Sequence, residues 1–208
     1  MSMTDNIKFT GIVLTGGKSK RMGRDKSLLK LGDKSFLEVQ LEKLVKLNAK
    51  ELIISEASDP LETPLEPDYF NYYREKGIYI HEVKDKMADK GPLAGLYSSF
   101  LEAKEDTALV LSVDVPLVKA STLKELLISH AKSKAMATVL VHNKKYEPLI
   151  AVYDTGNTEI LKELIDSEKL AIRAFLDRIK CNYYEFFGNE NELLNCNSPD
   201  DLKSLTKP

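Results

Sequence analysis

The sequence predicts one α/β domain with a mostly parallel central sheet. Short aliphatic or β-branched runs alternate along the chain with longer stretches whose apolar residues recur at helical spacing. The chain has 208 residues, of which 43% are hydrophobic, and this length supports one core rather than two ordinary domains. We therefore expect a single domain that spans residues 1–208.

The strands are predicted from their apolar runs, which lie at Ile12–Leu14, Leu52–Ile54, Ile78–Val83, Ala108–Val115, 136–141 and 149–153. Ala108–Val115 is almost wholly apolar, as a strand buried on both faces should be. A polar connection at 143–147 is expected between the last two strands. Residues 57–76 hold three prolines among charged and tyrosine residues, which predicts an irregular surface segment.

The helices are predicted from the residues that begin them. Ser35 and Glu38 match a capping box in front of a helix that ends near Asn48. Pro92 suits the first turn of a helix, because the N–H that it lacks has no helical partner there. Further helices are expected to begin at Thr122 and Ser198 and to cover 157–166 and 170–179.

Composition and charge exclude several classes of function. Thirty basic and thirty-two acidic side chains give a net charge of −2, which argues against a broad surface for nucleic acid or acidic membranes. The sequence shows no signal peptide and no apolar run long enough to span a bilayer, so we expect a cytoplasmic protein. Two cysteines and three histidines lack the spacing of a disulfide framework or a zinc site.

The segment from Leu14 to Lys26 has the composition of a phosphate-binding loop. It follows a predicted strand and contains three glycines and five cationic side chains against one acid. Glycine lets backbone N–H groups approach an anion, and the cations neutralise its oxygens, so the loop suits a triphosphate. The P-loop and dinucleotide fingerprints are both absent. Composition alone leaves open a solvated surface turn.

Two acids follow predicted strands, Asp85 and Asp114. Ligands of an open parallel sheet collect at the carboxyl ends of its strands, so both acids are expected at the same edge as the glycine loop. Mg²⁺ bound to a triphosphate needs one or two protein carboxylates, and Asp114 is the natural anchor. The alternative for Asp114 is a turn or cap residue in front of Pro116.

Five segments together resemble the molybdenum cofactor guanylyltransferases: LTGGKSKRMGRDKSLL (14–29), GPLAGL (91–96), SVDVP (112–116), EPLIAVY (147–153) and NCNSPDDL (195–202). The resemblance covers residues 12 to about 203. It implies a Rossmann-like three-layer α/β/α nucleotidyltransferase fold, with residues 9–118 binding nucleotide and metal and residues 119–205 binding the acceptor. The implied reaction transfers GMP from GTP to the phosphate of the molybdopterin-bound cofactor and releases pyrophosphate.

The resemblance also implies roles for individual residues. Those implied at the nucleotide are Leu14, Thr15, Gly16, Gly17, Arg21, Lys26, Asp85 and Asp114. Arg21 and Lys26 would hold phosphates and act in catalysis with Asp114, which would bind Mg²⁺. Asp85 would accept hydrogen bonds from the guanine base. Those implied at the acceptor are Arg173, Asn195 and Asn197.

The sequence departs from the family at two positions, and the second of them leaves the choice of base open. Thr15 stands where alanine is usual, and Glu56 falls near an asparagine that touches the base, although the alignment can shift to Ser55. For Glu147 two positions are open: it faces the acceptor, or it lies at the rim of a hairpin. The alternatives are a cytidylyltransferase for the same cofactor, a sugar-phosphate nucleotidyltransferase, a non-catalytic carrier of nucleotide or cofactor, and a structural protein. Transient contacts with cofactor-supplying or molybdoenzyme-maturation proteins are also expected.

Overall fold

A seven-stranded sheet forms the middle layer of the molecule. The structure, a computed structural model, describes residues 7–15, 26–56, 67–87, 90–196 and 201. The strands are β1 (Thr10–Leu14), β2 (Lys30–Leu31), β3 (Lys34–Ser35), β4 (Glu51–Glu56), β5 (Tyr79–Lys84), β6 (Thr107–Ser112), β7 (Ala137–His142), β8 (Lys145–Asp154) and β9 (Cys181–Glu185). The large sheet has the order β5-β4-β1-β6-β8-β7-β9, and β2 and β3 form a small antiparallel pair.

The sheet is mostly parallel, as predicted. β1 pairs in parallel with β4 and β6, β4 with β5, and β7 with β9. β8 is antiparallel to both of its neighbours, β6 and β7. β1 is buried along its whole length, because it lies in the centre of the sheet with helices on both faces.

Helices cover both faces of the sheet and complete the predicted three layers. They are α1 (Phe36–Lys46), α2 (Pro67–Glu75), α3 (Pro92–Glu102), α4 (Ala120–Lys132), α5 (Thr158–Asp166) and α6 (Ile172–Leu176), with short 3₁₀ turns at Lys26–Leu28, Thr155–Asn157 and Glu190–Leu193. One core cluster packs α1, α2 and α4 on the sheet, and a second packs α3, α5 and α6 on the other face. None of the helices in the described residues is long and apolar enough to cross a membrane.

The local signals for α1 and α3 are confirmed. Ser35 Oγ accepts from the N–H of Glu38 at 3.2 Å, and the Glu38 carboxylate accepts from the N–H of Ser35 at 2.6 Å. Pro92 is the first residue of α3. A Cβ on Gly11 in β1 would lie 2.9 Å from Leu44 Cδ1, so the glycine allows α1 to pack closely against the central strand.

Several predicted elements differ from the structure. The segment 57–76 is not irregular throughout: residues 67–75 form α2, in which Tyr69, Phe70 and Tyr73 pack on the core, and residues 57–66 lie outside the described part. β6 ends at Ser112, three residues before the predicted end. α4 begins at Ala120 rather than at Thr122, and the Glu192 carboxylate accepts from the Lys119 N–H and the Thr122 hydroxyl at its start. The expected connection at 143–147 shrinks to a two-residue turn, so β8 already includes Glu147.

Three strands were not predicted: the short antiparallel pair β2 and β3, and β9 in the large sheet. β9 forms the edge of the sheet beside β7, and residues 181–185 alternate between half-buried and exposed positions. The predicted helix over 170–179 is correspondingly shorter and covers residues 172–176. The helix expected at Ser198 lies outside the described residues, apart from Asp201.

Candidate active site

The carboxyl ends of β1, β4, β5 and β6 meet at one edge of the sheet. Three backbone hydrogen bonds join the segments that leave this edge: Thr15 N–H to Ser55 O (3.0 Å), Asp85 N–H to Glu56 O (3.0 Å) and Val113 N–H to Leu14 O (3.1 Å). The loop after β1 therefore starts directly beside the residue that precedes Asp114. In parallel α/β sheets this is the edge at which ligands bind.

The first loop is described only where it leaves β1. Leu14 and Thr15 are buried, and the Thr15 hydroxyl donates to the Ser55 carbonyl oxygen at 2.9 Å. This hydroxyl is thus used to hold the strand end, which explains how threonine is accommodated where the resembled family has alanine. Four predicted site features lie outside the described residues: Gly16, Gly17, Arg21 and the side chain of Lys26.

Asp85 has an acceptor oxygen for which the described residues supply no donor. Its Oδ1 is buried without a hydrogen-bond partner in the described part of the chain. Burial raises the pKa of Asp85 from its usual 3.8 to about 6. A buried carboxylate oxygen without an internal donor is a strong acceptor for N–H groups of a ligand. Guanine offers such a pair in N1–H and N2–H₂.

Ser55 and Gly95 complete the surroundings of Asp85. A Cβ on Gly95 would lie 3.0 Å from Ser55 Oγ, 3.1 Å from Leu14 Cδ2 and 3.5 Å from Asp85 Oδ1. Glycine therefore lets α3 approach the ends of β1, β4 and β5 closely, in the GPLAGL segment that the sequence singled out. Successive side chains of a strand point to opposite faces, so Glu56 faces away from α3. Ser55, and not Glu56, is the β4 side chain beside Asp85.

Asp114 lies just beyond the end of β6 and is held by its neighbours. Its Oδ1 accepts from the Ser112 hydroxyl at 2.5 Å, and its carbonyl oxygen accepts from the N–H of Cys196 at 2.7 Å. The side chain is half-buried. Asp114 thus sits at the same edge as Leu14 and Asp85, as the sequence predicts.

Glu147 of β8 lies close enough to Asp114 for their charges to interact. Burial raises the pKa of Glu147, nearby Lys145 lowers it and the charge of Asp114 raises it again. Among the described residues no group of three or more His, Cys, Asp or Glu side chains could hold a metal ion. Mg²⁺ in phosphate-transfer sites is held by one or two carboxylates together with substrate phosphates, so the Asp114 carboxylate fits this ion.

The predicted acceptor residues fall in two places. Asn195 is exposed and adjoins Cys196, so the backbone contact to Asp114 brings Asn195 to the Asp114 side of the edge; Asn197 lies outside the described residues. Arg173 is exposed on α6 with its Nε 3.9 Å from Asp177 Oδ2. No hydrogen bond or ion pair within the described part links Arg173 to Asp85 or Asp114.

The topology nevertheless puts the start of α6 at the carboxyl edge. α5 follows β8, which ends at the amino edge, and α5 therefore runs back towards the carboxyl edge. Glu168, just after α5, forms an ion pair with Lys90, which precedes α3. α6 begins four residues later, on the α3 side of the sheet.

Comparisons with known proteins find similar sequences over most of the chain. A family model described as "MobA-like NTP transferase domain" matches residues 11–181. A Flavobacterium johnsoniae protein named "Probable molybdenum cofactor guanylyltransferase" is 29% identical over 94% of this chain and 95% of its own length. The molybdenum cofactor guanylyltransferase of Xanthomonas euvesicatoria is 28% identical over 98% and 97%.

Solved structures share the fold. The molybdopterin-guanine dinucleotide biosynthesis protein A of Archaeoglobus fulgidus superposes with a TM-score of 0.71 at 24% identity, covering 94% of this chain and 96% of that one. A CMP:2-keto-3-deoxy-manno-octonic acid synthetase complexed with CTP gives a TM-score of 0.65 at 12% identity, covering 95% and 96%. At these identities the likeness concerns the fold alone, and the same fold carries both proteins.

Proposed function

We propose that this chain, which belongs to the MobA-like NTP transferase family, transfers GMP from GTP to the terminal phosphate of a molybdopterin-type cofactor. The products are pyrophosphate and the guanine dinucleotide form of the cofactor. The names of the relatives support this choice of substrates. The observation that carries the proposal is the meeting of three elements at one sheet edge: the end of β1, the Asp85 oxygen that finds no donor within the described residues, and Asp114.

The reaction requires an in-line attack by an acceptor phosphate oxygen on the α-phosphorus of GTP. The bond from the α-phosphorus to the bridging oxygen breaks, and pyrophosphate leaves with the electron pair. No covalent enzyme intermediate is needed, so positioning and electrostatic stabilisation supply the catalysis. We assign Asp85 to the guanine N–H groups, and Leu14, Thr15, Gly16 and Gly17 to the nucleotide.

Enzymes of this family generally use a divalent metal ion, and we propose Mg²⁺. When bound, this ion would neutralise charge that develops on the pyrophosphate. Asp114 would hold it, and Arg21 and Lys26 would bind phosphate oxygens. Arg173, Asn195 and Asn197 are assigned to the acceptor. We also propose a cytoplasmic location, because the reaction consumes GTP, with transient contacts to cofactor-supplying or molybdoenzyme-maturation proteins.

The test is pyrophosphate release from each of the four nucleoside triphosphates with Mg²⁺ and molybdopterin-loaded extract. We expect release from GTP, and its loss with Asp114→Asn. Release from CTP in preference would favour the cytidylyltransferase alternative. Stoichiometric GTP binding without pyrophosphate, even with loaded acceptor, would favour a carrier and contradict the proposal.

A further inference from the structure

Gln40 is a polar side chain within the apolar face of α1. It is fully buried, and its neighbours on that face, Leu37, Leu41 and Leu44, belong to the core. A buried amide has lost its hydrogen bonds to water, so it destabilises the fold unless the protein supplies partners. Those partners come from the segment that carries Asp114.

The Gln40 amide bonds to the backbone on both sides of Asp114. Its Nε2 donates to the carbonyl oxygen of Ser112 at 2.8 Å and to that of Val115 at 3.0 Å. Both amide protons are therefore used within four consecutive residues. Asp114 lies between the two carbonyl groups, so these bonds restrain the backbone on both sides of it.

Lys43, one turn further along α1, fixes the orientation of this amide. Its Nζ donates to Gln40 Oε1 at 3.0 Å and to the Pro116 carbonyl oxygen at 2.6 Å. The amide oxygen is thereby directed to the lysine and the amide nitrogen to the loop. Burial, with a smaller contribution from nearby Lys46, lowers the pKa of Lys43 to about 7.

The segment needs such support because it has left the sheet. β6 ends at Ser112, and the next residues no longer belong to the regular ladder of hydrogen bonds. A carboxylate that holds a metal must be placed to within about 0.5 Å, and groups that orient a ligand from outside commonly change metal affinity or activity by about 10- to 100-fold.

We propose that Gln40 is a positioning residue, whose amide holds residues 112–115 so that the Asp114 carboxylate keeps the orientation in which it holds Mg²⁺. This inference rests on the proposed function, which gives Asp114 that role. It adds a residue on α1, outside the motifs that the sequence singled out.

A matched control separates positioning from general stabilisation. His130 of α4 is also a buried polar helix residue with two contacts to the sheet: Nδ1 to Thr138 Oγ1 and Nε2 to Asp154 Oδ1, both at 3.1 Å. Those contacts lie at the amino edge, because Asp154 pairs with Thr107 at the start of β6. His130→Leu removes two contacts between a helix and the sheet, and Gln40→Leu removes two bonds to the Asp114 segment together with the one from Lys43; only Gln40→Leu affects the Asp114 segment.

The measurement is the factor by which saturating Mg²⁺ tightens GTP binding, obtained by calorimetry without acceptor and so without turnover. We compare the wild type, Asp114→Asn, Gln40→Leu and His130→Leu, with thermal unfolding of each. Gln40→Leu should lower the factor by about tenfold and Asp114→Asn should abolish it. His130→Leu should lose Tm but keep the wild-type factor. If Gln40→Leu does not fold, Gln40→Glu is used instead. The carboxylate has nearly the same volume as the amide but cannot donate to the carbonyl oxygens of Ser112 and Val115, so both bonds are lost.

The failures are distinguishable. A wild-type factor in folded Gln40→Leu or Gln40→Glu, or an equal loss in His130→Leu, would overturn the positioning role while leaving the role of Asp114 intact. An unchanged factor in Asp114→Asn, or a wild type in which Mg²⁺ does not affect GTP binding, would overturn the proposed function and with it this inference.

Discussion

Replacing Asp85 by asparagine tests whether this carboxylate is kept for a ligand at the expense of stability. The folded-state pKa of about 6, against a usual value of 3.8, means that folding disfavours the charged form. Ionisation of Asp85 therefore does not lower the stability of the wild type below pH 3.8. The loss of stability develops as the pH rises towards 6 and is complete at pH 7. The difference in pKa corresponds to at most about 3 kcal/mol. Because the side chain is only half-buried, solvent screening reduces this, and we expect about 1 kcal/mol.

Asp85→Asn should therefore be the more stable protein at pH 7. A gain of about 1 kcal/mol corresponds to a Tm rise of roughly 2 to 4 °C in a chain of this size. The advantage should vanish below about pH 4, where the wild-type carboxyl is already protonated. Thermal unfolding at pH 4 and pH 7 measures it, and the exposed Asp106 provides Asp106→Asn as a control that should change neither value.

The same variant should lose its preference for guanine. Hydrogen bonds to a charged group contribute about 1.5 to 3 kcal/mol each, so losing the carboxylate should reduce discrimination of GTP from CTP by about 2 kcal/mol or more, roughly thirtyfold. Competition between the two nucleotides measures this ratio. A variant that is no more stable at pH 7, and that still favours GTP by the wild-type ratio, would refute the reasoning.

Three further changes test other parts of the account. Asp114→Asn should slow Mg²⁺-dependent pyrophosphate release about a hundredfold or more while far-UV circular dichroism stays unchanged, and normal release would remove Asp114 from the mechanism. Glu192→Ala removes acceptors from the Lys119 N–H (3.3 Å) and the Thr122 hydroxyl (3.0 Å) at the start of α4, and should cost about 1 to 2 kcal/mol; an unaltered denaturant midpoint would contradict this. Lys144→Gly should raise the free energy of unfolding by about 0.5 to 1 kcal/mol. Asn143 and Lys144 both have positive φ (48° and 63°) in the β7–β8 turn, and glycine adopts this conformation more readily than lysine. A lower Tm would show that the turn is not strained.

The sequence predicts the sheet well where burial dominates. Ile12–Leu14, Leu52–Ile54 and Ala108–Val115 are aliphatic runs, and each overlaps a strand covered on both faces. β9 has no aliphatic run that would predict it, because its sequence, CNYYE, lies at the edge of the sheet, where a strand needs few apolar residues. α2 was missed because the three prolines of 57–76 suggest irregular structure, although Pro67 is simply the first residue of the helix.

The sequence predicts at which edge of the sheet the site lies. Asp85 and Asp114 follow parallel strands, and the rule that ligands bind at the carboxyl ends of such strands brings them together. Three features depend on tertiary structure and were not predictable. Ser55 rather than Glu56 faces Asp85 because of the side of the sheet on which α3 packs. Glu147 approaches Asp114 because β8 is antiparallel and begins at Lys145. The Cys196 contact uses a backbone N–H, which no side-chain pattern reveals.

The identity of the product tests the central claim most directly. The protein is incubated with each nucleoside triphosphate in turn, with Mg²⁺ and with molybdopterin-loaded extract, and the pterin product is weighed by mass spectrometry. The account predicts that, of the four nucleotides, only GTP adds the mass of one GMP residue to the cofactor, and that Asp114→Asn does not form this product. A cofactor of unchanged mass with all four nucleotides, or one carrying cytidylate in place of guanylate, would contradict it.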